Sequence, residues 1–171
     1  MGRITSHLVK RCSNVVAVDI SANMIRELKG SAAHLVVADI ANLPFKEATF
    51  DLVISVATLE CLTDDSLLQK TVKDLNKLLK RCGRIIILES ITHEGEKYSD
   101  FVKPRTIDYW INLFYKEGLT LTSCRGADPH VISDLIRKFK QRIKHKKSSE
   151  RLYIRVNGRL LSKLYTIYLL T

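Results

Sequence analysis

Long apolar runs are missing from this sequence: none exceeds the four residues of Ile85–Leu88, against the roughly 20 that a membrane-spanning helix needs. The N-terminus also lacks a long apolar core followed by a small-residue cleavage site, so no secretory leader is expected and the cytoplasm is the expected compartment. Cysteine is scarce. Cys12, Cys61, Cys82 and Cys124 form no C-x-x-C pair and stand at no zinc-finger spacing from histidine. A metal centre is therefore not expected, and reduced thiols filling small apolar gaps are. Internal repeats and low-complexity tracts are absent too. What remains is a chain of 171 residues, 46% hydrophobic and 27% charged, which fits one globular domain around a single core.

Acidic residues are scarce in the last quarter. From Val131 onward eleven basic side chains face only Asp134 and Glu150, so nine of the ten net positive charges lie there. Asp128 and Pro129 open a predicted helix running to about Lys147, with Ile132, Leu135, Ile136, Phe139 and Ile143 on one face and bases on the other. The basic stretch 137–147 has three readings: a solvated helix face, a surface for RNA, or one for anionic lipid. The RNA reading lacks a recognition motif or an aromatic stacking platform beside it.

Upstream, short β-branched runs alternate with amphipathic stretches. Strands are expected at Val15–Asp19, His34–Ala38, Leu52–Val56, Arg84–Leu88 and Leu119–Cys124. Helices are expected at Ser21–Lys29, with Ser21 as cap and Gly30 as stop, at Thr63–Lys80, capped by Thr63, Asp64 or Asp65, and at Thr106–Glu117. In the last of these Ile107, Trp110, Ile111 and Phe114 are expected to face inward. Leu152–Leu170 is expected to close the fold as a hairpin or strand pair. Strands alternating with helices specify an α/β fold, a mainly parallel sheet with helices on both faces. Ligands in such sheets bind beyond the carboxyl ends of the strands, where Asp19 and Asp39 stand.

Four blocks stand in order: VVAVDIS (Val15–Ser21), VVADIANLPFKEATFDLVIS (Val36–Ser55), SVATLECLTD (Ser55–Asp64) and KDLNKLLKRCGRIIILES (Lys73–Ser90). Together they resemble class I S-adenosylmethionine-dependent methyltransferases of the small-molecule, type 11-like branch, over about residues 2–125. The resemblance implies a Rossmann-like methyltransferase fold, a single domain over 1–171 and S-adenosylmethionine as cofactor. By match, Asp19 holds the cofactor ribose and Asp39 the adenine amino group, with Gly2, Ile20, Ile40 and Ser55 completing the cofactor set. Taken singly, either acid is equally consistent with an ordinary turn. Three departures stand out: Cys61 where the family has His, Arg81 where it has Pro, and Cys82 where it has the first of two glycines; Gly83 is kept.

The family's first strand and most of its G-x-G-x-G loop are also absent. Gly2, 17 residues before Asp19, lies where the last loop glycine belongs. The chain thus reads as N-terminally truncated. In this family that strand is central, between those at Val15 and Leu52. Its absence is expected to leave two buried edges, each unpaired group costing about 1–3 kcal/mol, and so a marginal or aggregation-prone chain.

Methyl transfer asks the protein mainly to align and dehydrate the acceptor. A base is needed only if the acceptor loses a proton. His93 and Glu94, after the Arg84 strand, are the candidates by analogy, with Glu60 and Tyr98 weaker ones. A solvated loop histidine is the plainer reading of His93. The expected acceptor is a small molecule, lipid or saccharide hydroxyl. The alternatives are a non-catalytic remnant or binding module of the same fold, and an RNA methyltransferase using the basic C-terminal helix.

Overall fold

A computed structural model of the chain describes residues 3–91, 99–127, 153–156 and 166–170. Seven strands form one sheet: β1 (Val15–Asp19), β2 (His34–Val37), β3 (Phe50–Val56), β4 (Leu79–Ser90), β5 (Cys124–Ala127), β6 (Tyr153–Val156) and β7 (Thr166–Leu170), in the order β2-β1-β7-β3-β4-β6-β5. β1–β2, β3–β4, β4–β6 and β5–β6 are parallel, whereas β7 runs antiparallel to both its neighbours. The helices are α1 (Arg3–Leu8), α2 (Ala22–Arg26), α3 (Asp65–Leu78) and α4 (Ile107–Lys116).

Local chemistry accounts for the helix starts. α2, α3 and α4 each begin where a short polar side chain can satisfy an amide that has no partner within the helix. Ser21 caps α2 through the Met24 N–H, Asp64 caps α3 through the Ser66 and Leu67 N–H groups, and Thr106 caps α4 through the Tyr109 N–H. At the far end of α4, Asn76 Nδ2 donates to the Glu117 carbonyl at 2.8 Å, tying α3 to α4.

Strand alternation then sorts the core onto two faces. Val18, Val53, Ile85 and Ile87 meet Leu68, Val72 and Leu75 of α3 and Trp110, Leu113 and Phe114 of α4. On the opposite face Val15, Ala17, Ile54, Val56, Ile86 and Leu88 meet Leu8 of α1 and Leu28 just beyond α2. Helices thus cover both faces, as the alternating pattern implies. In α4, however, the fully buried residues are Trp110, Leu113 and Phe114, while Ile107 and Ile111 are only half-buried. The buried stripe therefore lies on the Leu113 side of the one read from the sequence.

Three expectations are corrected. The fifth strand is Cys124–Ala127 rather than Leu119–Cys124; Leu119 instead sits in the core, its N–H bonded to the Phe114 carbonyl, as part of the end of α4. The two described strands of Leu152–Leu170 do not pair with each other: β6 lies between β4 and β5, and β7 between β1 and β3. The slot between β1 and β3 is consequently filled, so the two vacant edges are not there. Burying two rows of unpaired backbone groups costs far more than closing a long loop, and this favours the distant slot over a local hairpin. The basic helix expected from Pro129 to about Lys147 lies outside the described residues.

The α3–β4 junction shows what the glycine replacement does. Phe50 pairs with Leu79 and Leu52 with Arg84, so Lys80–Gly83 loops out of the ladder. Cys82 takes φ 66°, a left-handed conformation that a side chain resists. Gly83 is required for space: a Cβ there would lie 2.9 Å from both Leu79 Cβ and the Lys80 carbonyl oxygen.

Two outcomes follow. Cys82→Gly relieves the left-handed strain and raises the urea midpoint, by about 0.5–1 kcal/mol of stability. Deletion of 166–171 reopens the central slot. The full chain should unfold cooperatively in calorimetry, and the deleted form should lose that transition and aggregate.

Candidate functional site

The carboxyl ends of β1, β2, β3 and β4 form one rim. Asp19 is the last residue of β1, 3% exposed, and accepts from the Ser21 N–H at 2.8 Å. The ladder continues one residue past β2, with the Ala38 N–H donating to the Asp19 carbonyl at 3.1 Å, so Asp39 follows directly on the neighbouring strand end. Asp39 is exposed; its Oδ1 accepts from the Ala41 N–H at 2.9 Å and caps the short 3-10 turn Ile40–Asn42. The two acids therefore share one edge of one sheet. Ile20 is 66% exposed beside Asp19, whereas Ile40 is buried.

Across β7, Val18 is level with Ile167 and Val56 with Thr166. Asp19 is thus level with Val56 across one intervening strand, roughly 10 Å away at normal strand spacing. β3 ends there, and Ala57 turns the chain with φ 49°, its N–H held by the Leu88 carbonyl at 2.8 Å. The next amides converge on one buried carboxylate. Glu89 Oε1 accepts from the Ser55 hydroxyl at 3.2 Å, the Thr58 N–H at 3.4 Å and the Leu59 N–H at 3.2 Å, and Oε2 accepts from the Glu60 N–H at 3.1 Å. Glu60 answers in kind, its Oε2 accepting from the Ser90 N–H at 2.6 Å. Each acid thus binds the backbone beside the other. Burial first, and then the charge of Glu60, push Glu89 up to about 8, against the pull of the Glu60, Leu59 and Thr58 amides.

The other flank of this turn is tied to the segment before α4. The Lys103 N–H donates to the Glu60 carbonyl at 2.8 Å. The buried Arg105 guanidinium donates to the Leu62 carbonyl at 2.6 Å and, through Nε and Nη2, to Asp65 Oδ1 at 3.0 and 2.8 Å. It also lies over the rings of Tyr109 and Trp110, 5.3 and 5.7 Å from their centroids. Burial tends to raise the Asp65 carboxyl, but the bonds from Lys103 and Arg105 and the Arg105 charge outweigh it and bring it down to about 2.

A family model described as a methyltransferase domain matches residues 1–87, just over half of the chain. The chain belongs to the methyltransferase-domain family. It is 32% identical over 92 residues to the uncharacterized protein MJ0638 of Methanocaldococcus jannaschii, covering 52% of this chain and 38% of that one. It is 31% identical over 72 residues to a tRNA (carboxymethyluridine(34)-5-O)-methyltransferase of Arabidopsis thaliana, covering 42% of this chain and 18% of that one. The chain thus spans well under half the length of both curated relatives. A solved structure of the YcgJ protein of Bacillus subtilis superposes with a TM-score of 0.48 at 17% identity, over 58% of this chain and 50% of that one.

Within this methyltransferase domain, Asp19, Ile20, Asp39, Ile40 and Ser55 all lie at the rim, but in different roles. Ser55 is fully buried with its hydroxyl on Glu89, and Ile40 packs into the core. Glu60 is buried with its carboxylate on the Ser90 amide. Gly2, His93, Glu94 and Tyr98 lie outside the described residues. Glu89 and Arg105 are not among the residues singled out in the sequence. An acid at the end of the fourth block was the available signal for Glu89; nothing local marks Arg105. Among the described residues no group of three His, Cys, Asp or Glu side chains could hold a metal ion, and no helix is long and apolar enough to cross a membrane.

The two shifted acids give stability a pH dependence of opposite sign on either side. Folding lowers the Asp65 value, so its contribution is complete above about pH 4 and is lost as pH falls toward about 2. Folding raises Glu89 from 4.5 to about 8, so the folded state holds a proton that the unfolded state releases, and stability falls as pH rises across that interval. Urea unfolding from pH 2 to 9 checks both: Asp65→Asn should flatten the acid limb and Glu89→Gln the alkaline one.

Proposed function

We propose that this domain catalyses S-adenosylmethionine-dependent methyl transfer to the hydroxyl of a small molecule, lipid or saccharide. The observation that carries the reading is the pair of acids, Asp19 and Asp39, on adjacent strand ends of one sheet, with exposed Ile20 directly after Asp19. These residues fit the adenosine half of the cofactor. A carboxylate at Asp19 accepts from both vicinal hydroxyls of a ribose. Ile20 offers an apolar surface to a base, and the exposed Asp39 carboxylate accepts from an exocyclic amine. The domain would span 1–171, with its core over about 2–125.

When bound, S-adenosylmethionine supplies a methyl group already activated on a sulfonium. The protein's share is then to hold the acceptor in line and exclude water. An acceptor that must lose a proton calls on a base, and His93 and Glu94 are the candidates. Glu60 is the weaker one, because its carboxylate already serves the Ser90 amide.

A second reading, an RNA acceptor, is supported by the nine-charge basic surplus beyond Val131 and by the tRNA named as substrate of the Arabidopsis relative. A non-catalytic module of the same fold is the outcome if no cofactor binds.

Titration calorimetry with S-adenosylmethionine tests the main reading. Asp19→Ala should weaken binding about 10- to 100-fold, as expected for losing charge-assisted hydrogen bonds. Absence of binding to the unaltered chain sinks the enzyme reading, and retention on immobilised RNA that survives moderate salt selects the RNA acceptor over the small one.

A further inference from the structure

The turn after β3 is built as a nest of converging amides, and the group it holds is one of the protein's own side chains. Ala57, at φ 49°, swings the following amides onto one side of the chain. The Thr58, Leu59 and Glu60 N–H groups then point together at Glu89, which lies at the end of β4 and is 3% exposed. Without an acceptor there, three buried donors would be unsatisfied at once.

The placement matters because of what the turn adjoins. It leaves β3 level with Asp19 on the other side of β7, so it forms the β3-side wall of the rim that Asp19 bounds on the β1 side. Glu89 itself is buried; it binds the turn, and the turn follows directly on the rim end of β3.

We propose that Glu89 is a positioning residue for the methyl donor: by gathering the Thr58, Leu59 and Glu60 amides it fixes the wall opposite Asp19. This rests on the cofactor reading above. Three features support a positioning role over simple core filling. Of the four hydrogen bonds that Glu89 accepts, three come from consecutive amides of one turn and the fourth from Ser55 near the end of the strand that leads into it. Glu60 returns the bond through the Ser90 amide, so the turn and the strand end are locked to each other in both directions. The Lys103 amide and Arg105 hold the same turn from its other flank, through the Glu60 and Leu62 carbonyls, which leaves Glu89 to set its position relative to β4. Among the described residues, the Ser55 hydroxyl donates to this group and the charge of Glu60 acts on it.

Two variants separate the possibilities. Glu89→Gln keeps an oxygen for the Ser55, Thr58 and Leu59 donors but sets an NH2 against the Glu60 N–H. Glu89→Met keeps the volume and removes every acceptor. Amide hydrogen exchange and calorimetry with S-adenosylhomocysteine are measured on the full chain at a temperature where each variant is folded. Glu89→Gln should speed exchange at Glu60 and weaken the ligand about threefold, and Glu89→Met should open Thr58, Leu59 and Glu60 and weaken it about tenfold or more. Ile54 and Ile86, in the β3–β4 ladder, should stay protected in Glu89→Gln. Unchanged affinity in Glu89→Gln with an opened Glu60 amide overturns the positioning role alone, as does exchange that quickens equally throughout the ladder. Failure of the unaltered chain to bind S-adenosylhomocysteine overturns the methyl-donor reading and the positioning role together.

Discussion

A carboxylate removed from water must find donors, and in this chain the Glu89 carboxylate finds them in the turn after β3. That single requirement couples parts of the sequence that are otherwise independent. β4 is fixed to the turn through Glu89, the turn to the segment before α4 through Lys103 and Arg105, and that segment to the start of α3 through Asp65. The rim of the sheet is therefore one polar framework laid over an apolar base, in which Val53, Ile85 and Leu68 exclude the water that would otherwise loosen it. The burial that pushes Glu89 up to about 8 also strengthens each bond it accepts.

Much of this could be read in the sequence, because much of it is local. Ser21, Asp64 and Thr106 act as caps within three residues of the amides they bind. The helix stripes and the strand alternation are likewise short-range patterns, and Asp19 and Asp39 are marked by the runs that precede them. The misreadings involve distance. Glu89 looks like any strand-end acid until Thr58–Glu60 fold back over it, about thirty residues away in sequence. Arg105 looks like a surface base, and only the approach of α3 with Asp65 buries it. The apolar segments of Leu152–Leu170 suggest self-pairing because a nearby partner is all that a sequence displays, whereas the available slots lay on either side of β3 and β4.

The proposed chemistry suits this division of labour. A cofactor that brings its own activated group asks for orientation and dryness more than for reactive side chains. The described rim offers acids that accept hydrogen bonds, the exposed aliphatic side chains of Ile20 and Val37, and a turn whose amides are already engaged. Two substitutions relative to the family pattern, Arg81 and Cys82, fall at the opposite end of β4, where Cys82 takes a left-handed position and loads the α3–β4 junction, whereas the third, Cys61, lies in the turn after β3 with its thiol on the Ala57 carbonyl.

The central position of β7 has a consequence for how the chain comes off the ribosome. β1 and β2 on one side, and β3 and β4 on the other, emerge early, yet the strand that joins these halves is Thr166–Leu170. During synthesis the nascent polypeptide would carry two half-sheets with open inner edges, a state that invites intermolecular strand pairing. Sequence separation this large between central neighbours also slows the final closure. Expression yield should then depend on chaperone occupancy and translation speed more than on the stability of the finished domain.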